Sequence, residues 1–444
     1  MSLLALTLAG VIELDPVNVT ATREARRQSI TPQAVQVISR QQLDESTALS
    51  TPDLLEKAVG LMVQKSNPGG GSPFLRGFTG KHVLILVDGV RVNNSFYRLG
   101  PHQYLNTLDP SSIERIEIQR GTGSVLYGTD ALGGVINVIS RKATATPSLR
   151  IETGFDSADN GSSVHVEGSA LGVLAGGSFK QRGDLRGGGN VGKQVPTAYD
   201  EFAGHVASQH TLGSGSGNGA GSGVLGFTGQ YVQQNDVPKT NEVVLGSFQQ
   251  FNYAPQSRLL TAIDYQQAQA GAWQNLHGNL SFSRMKEGED TIARATPALR
   301  VIDEVRIDTL GASLQGSLPI GTHRFTVGGE GYQDRYRTQN TRNNAGVISA
   351  GQPSVPDGVR YDSFGAYALA DMALGQNSHL LLGSRYSRFN AEGSALVRTG
   401  SGGSSGSQRQ DLALNASAVS NSAQVVVEIT PQVQLIGGVA QGFR

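Results

Sequence analysis

Five glycines within a short stretch, Gly121, Gly123, Gly128, Gly133 and Gly134, are the first candidates for chemistry, because a glycine-rich loop can cradle a phosphate with its amides. That reading fails here. No Gly-Lys-Ser/Thr follows, and the preceding strand is polar at alternate positions instead of buried. The glycines are better suited to tight backbone packing and turns with positive φ. Ser, His and Asp are all present, yet there is no strand-to-helix nucleophile elbow and no HExxH zinc pair. The chain has no cysteine, which removes thiol, zinc-finger and iron–sulfur chemistry together. Its 8 histidines are scattered, and His165, His205 and His210 fall within alternating segments as lumenal or interfacial residues, not ligands. Arg76, Glu114, Glu117 and Arg120 read as structural charges. No enzyme and no cofactor is expected.

Composition narrows the elements that must carry these residues. Lys plus Arg is 36 and Asp plus Glu is 36 over 444 residues, so no broad cationic field exists to hold a nucleic acid. Hydrophobic residues make up 38% and charged residues 16%, a poor mix for a soluble α/β enzyme with a large dry core. Glycine stands at 58 of 444, against a typical share of about 7%. The longest aliphatic run is Val83 to Val87, far short of the roughly 20 residues of a membrane helix. A transmembrane β-barrel stays open, because its lipid-facing residues alternate with polar ones and keep mean hydropathy low. Met1 to Gly10 is apolar and short, either the tail of a secretory h-region or a leader without structure. The chain stops at Arg444 in the middle of an alternating segment, which reads as a fragment.

Residues 30 to 142 mix helix and strand signals at the size of a small domain. Ala34–Ile38 reads as a strand, after which Ser39 N-caps a brief helix. Thr51 as N-cap and Pro52 at N1 open a second helix that Gly60 closes. Leu61–Gln64 and Phe74–Phe78 read as short strands around a mobile PGGGSP linker. Asp88-Gly89 joins His82–Val87 to Val90–Asn93 in a hairpin, and strands follow around Ile113, Ile116 and Ile118 and at Val135–Ile139.

From about Pro147 the pattern changes to segments of about ten residues alternating in period two, roughly thirteen in all, from Leu149–Ser157 to Gln432–Phe443. Short connections such as Leu171–Val173, Ala268–Ala272 and Leu318–Gly321 contrast with long polar ones at Gly183–Asp200, Tyr336–Arg360 and Ala391–Asn421. Short turns on one side and long loops on the other are the asymmetry of an outer-membrane barrel. About 9–11 tilted residues cross the bilayer, which agrees with the segment length. An antiparallel barrel of the bacterial kind needs an even strand number, so the odd count points to further strands beyond Arg444.

Several stretches resemble the TonB-dependent outer-membrane receptors: LDPVNVTATR (Leu14–Arg23), FLRGF (Phe74–Phe78), VLILVDGVRVN (Val83–Asn93) and, most specifically, IERIEIQRGTGSVLYGTDALGGVINVISR (Ile113–Arg141). FNYAPQSRLL (Phe251–Leu260) resembles an early barrel strand, and QGFR the start of a mid-barrel motif. The resemblance implies an α+β plug domain inside an antiparallel barrel of about 22 strands. It divides the chain into a leader with TonB box (1–29), a plug (30–142) and a partial barrel (143–444), with about the last third of the protein absent. Asp15, Pro16, Val17, Asn18, Val19, Thr20 and Ala21 resist a helix. Either they form a disordered tail or they are an edge strand offered to a partner sheet. The resemblance assigns them to the TonB box, with the periplasmic domain of TonB, and ExbB and ExbD behind it, as partner. It also implies that Arg76, Glu114, Glu117 and Arg120 hold the plug to the barrel wall, since pairing is what keeps such charges inside.

By the same resemblance, Asn93 to Asn106 is a plug loop facing the ligand. Its Tyr97, Arg98 and Tyr104 suit an anionic or catecholate iron chelate, and His102 suits haem as an axial ligand. The implied function is import of a scarce nutrient, a ferric siderophore first, haem or cobalamin as alternatives, by a monomer in outer-membrane lipid. A passive porin or a nonfunctional fragment is the competing class.

Overall fold

The computed structural model describes residues 17–18, 20, 23, 26–27, 33–65, 67–96, 104–213, 222–375, 377–399, 406–430 and 433–443. Strand β1 (Ala34–Ile38) leads into helix α1 (Arg40–Asp44), where Ser39 is the N-cap of a reciprocal capping box with Gln42. Helix α2 (Thr51–Leu54) is capped one residue earlier than the sequence suggests. The Ser50 amide and hydroxyl both donate to Asp53 Oδ2, at 3.0 and 2.8 Å. The Thr51 hydroxyl is already committed to Leu108 O at 2.5 Å, so Pro52 sits at N2 and not N1.

Strand β2 (Leu61–Gln64) pairs with β3, which is Ser72–Leu75 and not the expected Phe74–Phe78. Arg76 and Gly77 follow at φ 52° and 84°, a left-handed turn that no strand continues through. The glycines between β2 and β3 are not a loose linker. Gly71 N donates to Asn106 Oδ1 at 2.8 Å, and Gly69 O accepts from Gln234 Nε2 at 2.9 Å.

The plug's main sheet adds β4 (Val83–Val87), β5 (Val90–Arg91), β6 (Ile113–Arg120) and β7 (Gly134–Ser140), with the one-turn helix α3 (Ser124–Tyr127) between the last two. Its order is β1-β6-β7-β4-β5, with β4 and β7 parallel and the other neighbours antiparallel. All five residues of β4 are buried, as in a strand covered on both faces. The expected hairpin is present, with Asp88 and Gly89 at φ 50° and 81°, both left-handed as a type I′ turn demands.

Thirteen longer strands then follow in chain order, each antiparallel to the one before. They are β8 (Ser148–Asp156), β9 (Gly161–Ala170), β10 (Val173–Arg182), β11 (Tyr199–Leu212), β12 (Gly223–Asn235) and β13 (Phe248–Ala270). The series continues with β14 (Trp273–Ala293), β15 (Leu299–Ile320), β16 (His323–Asn344), β17 (Arg360–Ala373), β18 (Ser378–Thr399), β19 (Gly406–Thr430) and β20 (Val433–Ala440). Two of the expected long loops are largely strand. Tyr336–Asn344 pairs with Leu299–Ile307, and Ala391–Thr399 with Gly406–Leu414. At about 3.3 Å per residue, the 22 residues of β16 reach well past a hydrocarbon core of about 30 Å. Beyond the lipid no face needs to be apolar, so the alternation stops while the hydrogen-bonded ladder continues.

Sidedness settles the environment. On β9, Val164 and Val166 are 41% and 45% exposed on the outer face, while His165 and Glu167 between them are 3% exposed against the plug. Phe202, Phe227, Leu310 and Leu314 also face out, opposite Glu201, Thr228 and Gln315. An apolar exterior around a polar interior inverts a soluble protein and matches a barrel in lipid. Among the described residues no helix is long and apolar enough to cross a membrane.

Candidate functional site

The functional geometry is where the N-terminal segment, the plug and the barrel wall meet. The backbone of Val17–Asn18 pairs antiparallel with Arg26–Arg27, turning the segment back on itself. Two residues after Asn18, Thr20 N and Oγ1 both donate to Glu117 Oε2 on β6, at 2.9 and 2.6 Å. Glu117 is fully buried, and its other oxygen takes Arg115 at 2.8 Å. The Tyr127 hydroxyl donates to Thr20 O at 2.8 Å, and burial pushes its pKa well up, so it stays a donor.

Arg23 closes the arrangement. Its guanidinium lies 4.3 Å from the Tyr127 ring centre and 5.1 Å from that of Tyr367, and Nη2 meets Glu330 Oε2 of β16 at 2.7 Å. Gln315 Nε2 of β15 donates to Arg23 O at 2.8 Å. The second oxygen of Glu330 holds Arg385 of β18 at 2.7 Å, and Arg385 Nη1 in turn donates to Leu126 O of α3 at 3.0 Å. One carboxylate thus joins the N-terminal segment, the plug and two barrel strands. Paired through Glu330, these charges can stay inside, although Arg23 Nε itself is buried without a hydrogen-bond partner.

Other cross-links fix the plug elsewhere. Asp109 takes Ser178 Oγ at 2.8 Å and lies 3.5 Å from Lys180, both on β10. Burial alone would raise the Asp109 carboxyl, but Lys180, Ser178 and the Ser111 amide outweigh it and hold the group below the usual carboxylate range. Arg258 of β13, 2% exposed, donates to Thr107 O at 2.8 Å and to Gln230 Oε1 at 3.1 Å. Ser95 N and Oγ donate to Asp334 Oδ2 at 2.7 and 2.6 Å, just before the apical loop.

Three of the four charges expected to reach the barrel wall are placed otherwise. Glu117 grips Thr20, Arg120 Nη1 donates to Val59 O at 2.8 Å inside the plug, and Arg76 is exposed in its left-handed turn. Glu114 is half-buried on β6. Wall contacts are made instead by residues that include Ser95, Thr107, Asp109 and Arg23 on one side and Lys180, Arg258, Glu330, Asp334 and Arg385 on the other, with Arg141 meeting Glu167 of β9 at 2.9 Å. On the wall side, only their polar character at alternate strand positions signals them in sequence; the plug-side partners lie off the strands.

Of the segment residues, Asp15, Pro16, Val19 and Ala21 lie outside the described residues, as do Tyr97, Arg98 and His102 of the apical loop. Tyr104 opens a short 3-10 turn, Tyr104–Thr107. His165 and His205 face the lumen as stacked rings with centroids 5.8 Å apart, and His205 Nε2 meets Glu167 Oε2 at 2.8 Å. Among the described residues no group of three or more His, Asp or Glu is disposed to hold a metal ion.

Comparison with known proteins agrees with this arrangement. The profile of the TonB-dependent receptor plug domain matches residues 27–135, and that of the TonB-dependent receptor-like β-barrel matches residues 180–444. The chain is 37% identical over 145 residues to the vitamin B12 transporter BtuB of Vibrio vulnificus, and 32% identical over 161 residues to that of Vibrio cholerae. Those stretches cover 32% and 36% of this chain but only 23% and 26% of the relatives. Among solved structures, the fold superposes on the copper transporter OprC with a TM-score of 0.71 at 14% identity. It superposes on the Serratia marcescens hemophore receptor HasR with a TM-score of 0.74 at 18% identity. The alignments cover 91% and 93% of this chain and 63% of each of those. A plug sheet enclosed by an antiparallel wall with its apolar face outward, and two family profiles along the sequence, lead to one conclusion: the chain belongs to the TonB-dependent receptors of the Gram-negative outer membrane.

Proposed function

We propose that this chain forms the plug and part of the barrel of an energised importer, in which residues 15–21 are the handle that TonB pulls. The observation that carries this reading is the anchorage at the end of that handle and just beyond it. Thr20 is bonded to the plug through Glu117 and Tyr127, and Arg23 to the wall through Glu330 and Gln315. A pull on Asp15–Ala21 therefore loads β6 and α3 of the plug directly. A passive pore needs neither the handle nor a plug bonded to its wall. The partner is the periplasmic domain of TonB, driven by ExbB and ExbD, and the receptor works as a monomer in lipid.

The cargo is a bulky metal chelate received by the apical loop, where Tyr97, Arg98 and Tyr104 would meet an anionic ferric siderophore. A second reading, cobalamin, has its own support in the 37% identity to a vitamin B12 transporter. That identity covers 32% of the chain, which limits what it says about cargo. Haem would require His102 as a ligand.

Deleting residues 15–21 tests the handle. Energised uptake should vanish while binding at the cell surface persists, and unchanged uptake would favour the passive pore. Equilibrium binding of cobalamin, ferric siderophores and haem to the receptor and to its Arg98→Ala and His102→Ala variants then ranks the cargoes.

A further inference from the structure

The plug is held to its wall in two different ways. At β10, at the upper part of β13, at β16 and at β18 the contacts are polar: Asp109 to Ser178 and Lys180, Arg258 to Thr107, Ser95 to Asp334, and Arg385 to Leu126. Between Arg258 and Asp334 the wall presents Leu260 and Ala262 of β13, Met285 of β14, and Val305 and Ile307 of β15. These belong to the same buried cluster as Val90, Val92, Phe96, Leu105 and Leu108 of the plug. One weak bond crosses it, from Asn94 Nδ2 to Met285 Sδ at 3.5 Å. Apolar packing itself has no directional bonds, so such a seam can part and reseal while stranding few polar groups, whereas the contacts to Asp109, Arg258 and Asp334 cannot.

Directly below this seam, toward the short turns, lies a cavity of about 550 Å³ between plug and wall. Leu260 and Ala262 belong to both, so the seam is the roof of the cavity. Arg23, Gln315, Tyr127 and Tyr367 form one flank, which makes the last anchored point of the N-terminal segment a wall of the same space. Other cations in the lining are already met by carboxylates, Lys142 by Asp88 at 3.2 Å and Arg115 by Glu117 at 2.8 Å. Asn137, Gln209, Gln266 and Asn279 add amide donors and acceptors.

We propose, resting on the importer reading above, that cargo crosses the plug through the apolar seam at β13–β15. It is then held in this cavity, a second binding site on the periplasmic side. The site takes a solute that hydrogen-bonds through amide or hydroxyl groups and has one apolar flank. Withdrawal of Arg23 with the pulled segment removes the flank beside Gln315 and empties the site toward the periplasm.

The natural absence of cysteine permits a direct test. Ala262→Cys places a single thiol in the cavity roof. Ala203→Cys places one on β11 opposite Ser178, in the polar sector, as the comparison. Heat-modifiable migration on gels shows that each variant is folded. In outer-membrane vesicles, a small charged methanethiosulfonate supplied at the periplasmic face should label Cys at 262 and leave Cys at 203 unlabelled. In energised cells given cobalamin or a ferric trihydroxamate as trial cargo, external reagent should reach position 262 at least tenfold faster than in protonophore-treated cells. Position 203 should not change.

Labelling of position 203 in place of 262 would overturn the route, as would failure of the periplasmic reagent to reach 262. Cargo uptake without external labelling at 262 would overturn the route and leave the importer reading standing. Neither uptake of any cargo nor a response to the protonophore would overturn the importer reading, and the route with it.

Discussion

Arg23→Ala should release the N-terminal segment without unfolding the receptor. The side chain gives one ion pair to Glu330, with the two groups 13% and 4% exposed, and lies 4.3 Å from the Tyr127 ring centre. An ion pair of that burial lies between the surface value of about 0–1 kcal/mol and the 3–5 kcal/mol of a fully buried pair that is broken. The ring contact adds about 0.5–1 kcal/mol. A loss of about 2–3 kcal/mol for local opening corresponds to a roughly 30- to 150-fold rise in the released population. Glu330 keeps Arg385 at 2.7 Å, so no carboxylate is stranded and global stability should hold.

Glu330→Gln is different, because it leaves Arg23 and Arg385 facing each other without the anion between them. It should open the segment and also lower the unfolding midpoint of the whole receptor. The assay is amide hydrogen exchange at Thr20, whose N–H is bonded to Glu117, read beside thermal unfolding in detergent. Unchanged Thr20 protection in Arg23→Ala would refute the anchorage. Strictly additive effects of the two substitutions in a double-mutant cycle would refute the pairing.

Arg258→Ala removes a guanidinium that donates to Thr107 O and Gln230 inside the lumen, and should weaken plug retention by about 3 kcal/mol, read as faster proteolysis of the plug. Gly134→Ala puts a Cβ into the Leu75 side chain and the Gln119 carbonyl at φ 156°, and should cost at least about 1–3 kcal/mol, visible as reduced folding yield. The loop after β10 should loosen in acid. The Thr197 amide first, and Lys193 with it, hold the Asp184 carboxyl below its ordinary value of 3.8, so its stabilisation is full above that value and is lost as pH falls through the depressed one. Protease sensitivity of residues 183–198 should therefore rise only at strongly acid pH, and Asp184→Asn should abolish that dependence.

How much was legible follows from what each signal depends on. Alternation at Val164, His165, Val166 and Glu167 is local, forced by a strand with lipid on one side and plug on the other, so the thirteen wall strands of this chain were legible in the sequence alone. Asp88-Gly89 and the Ser39 capping box are likewise chemistry of neighbouring residues. The true ends of β16, β18 and β19 were hidden, because strand beyond the lipid is held by its partner and not by its own pattern. The Ser50 cap was hidden for a related reason, since Thr51 is drawn away by Leu108 from far along the chain. Most of all, the sequence could name Thr20 and Glu117 as members of two motifs but not as bonded to each other. Only the tertiary structure decided that a buried carboxylate on β6 and another on β16 would grip the N-terminal segment. The energy of a buried charge depends on which partners the whole fold brings within about 3 Å, and no local pattern carries that information.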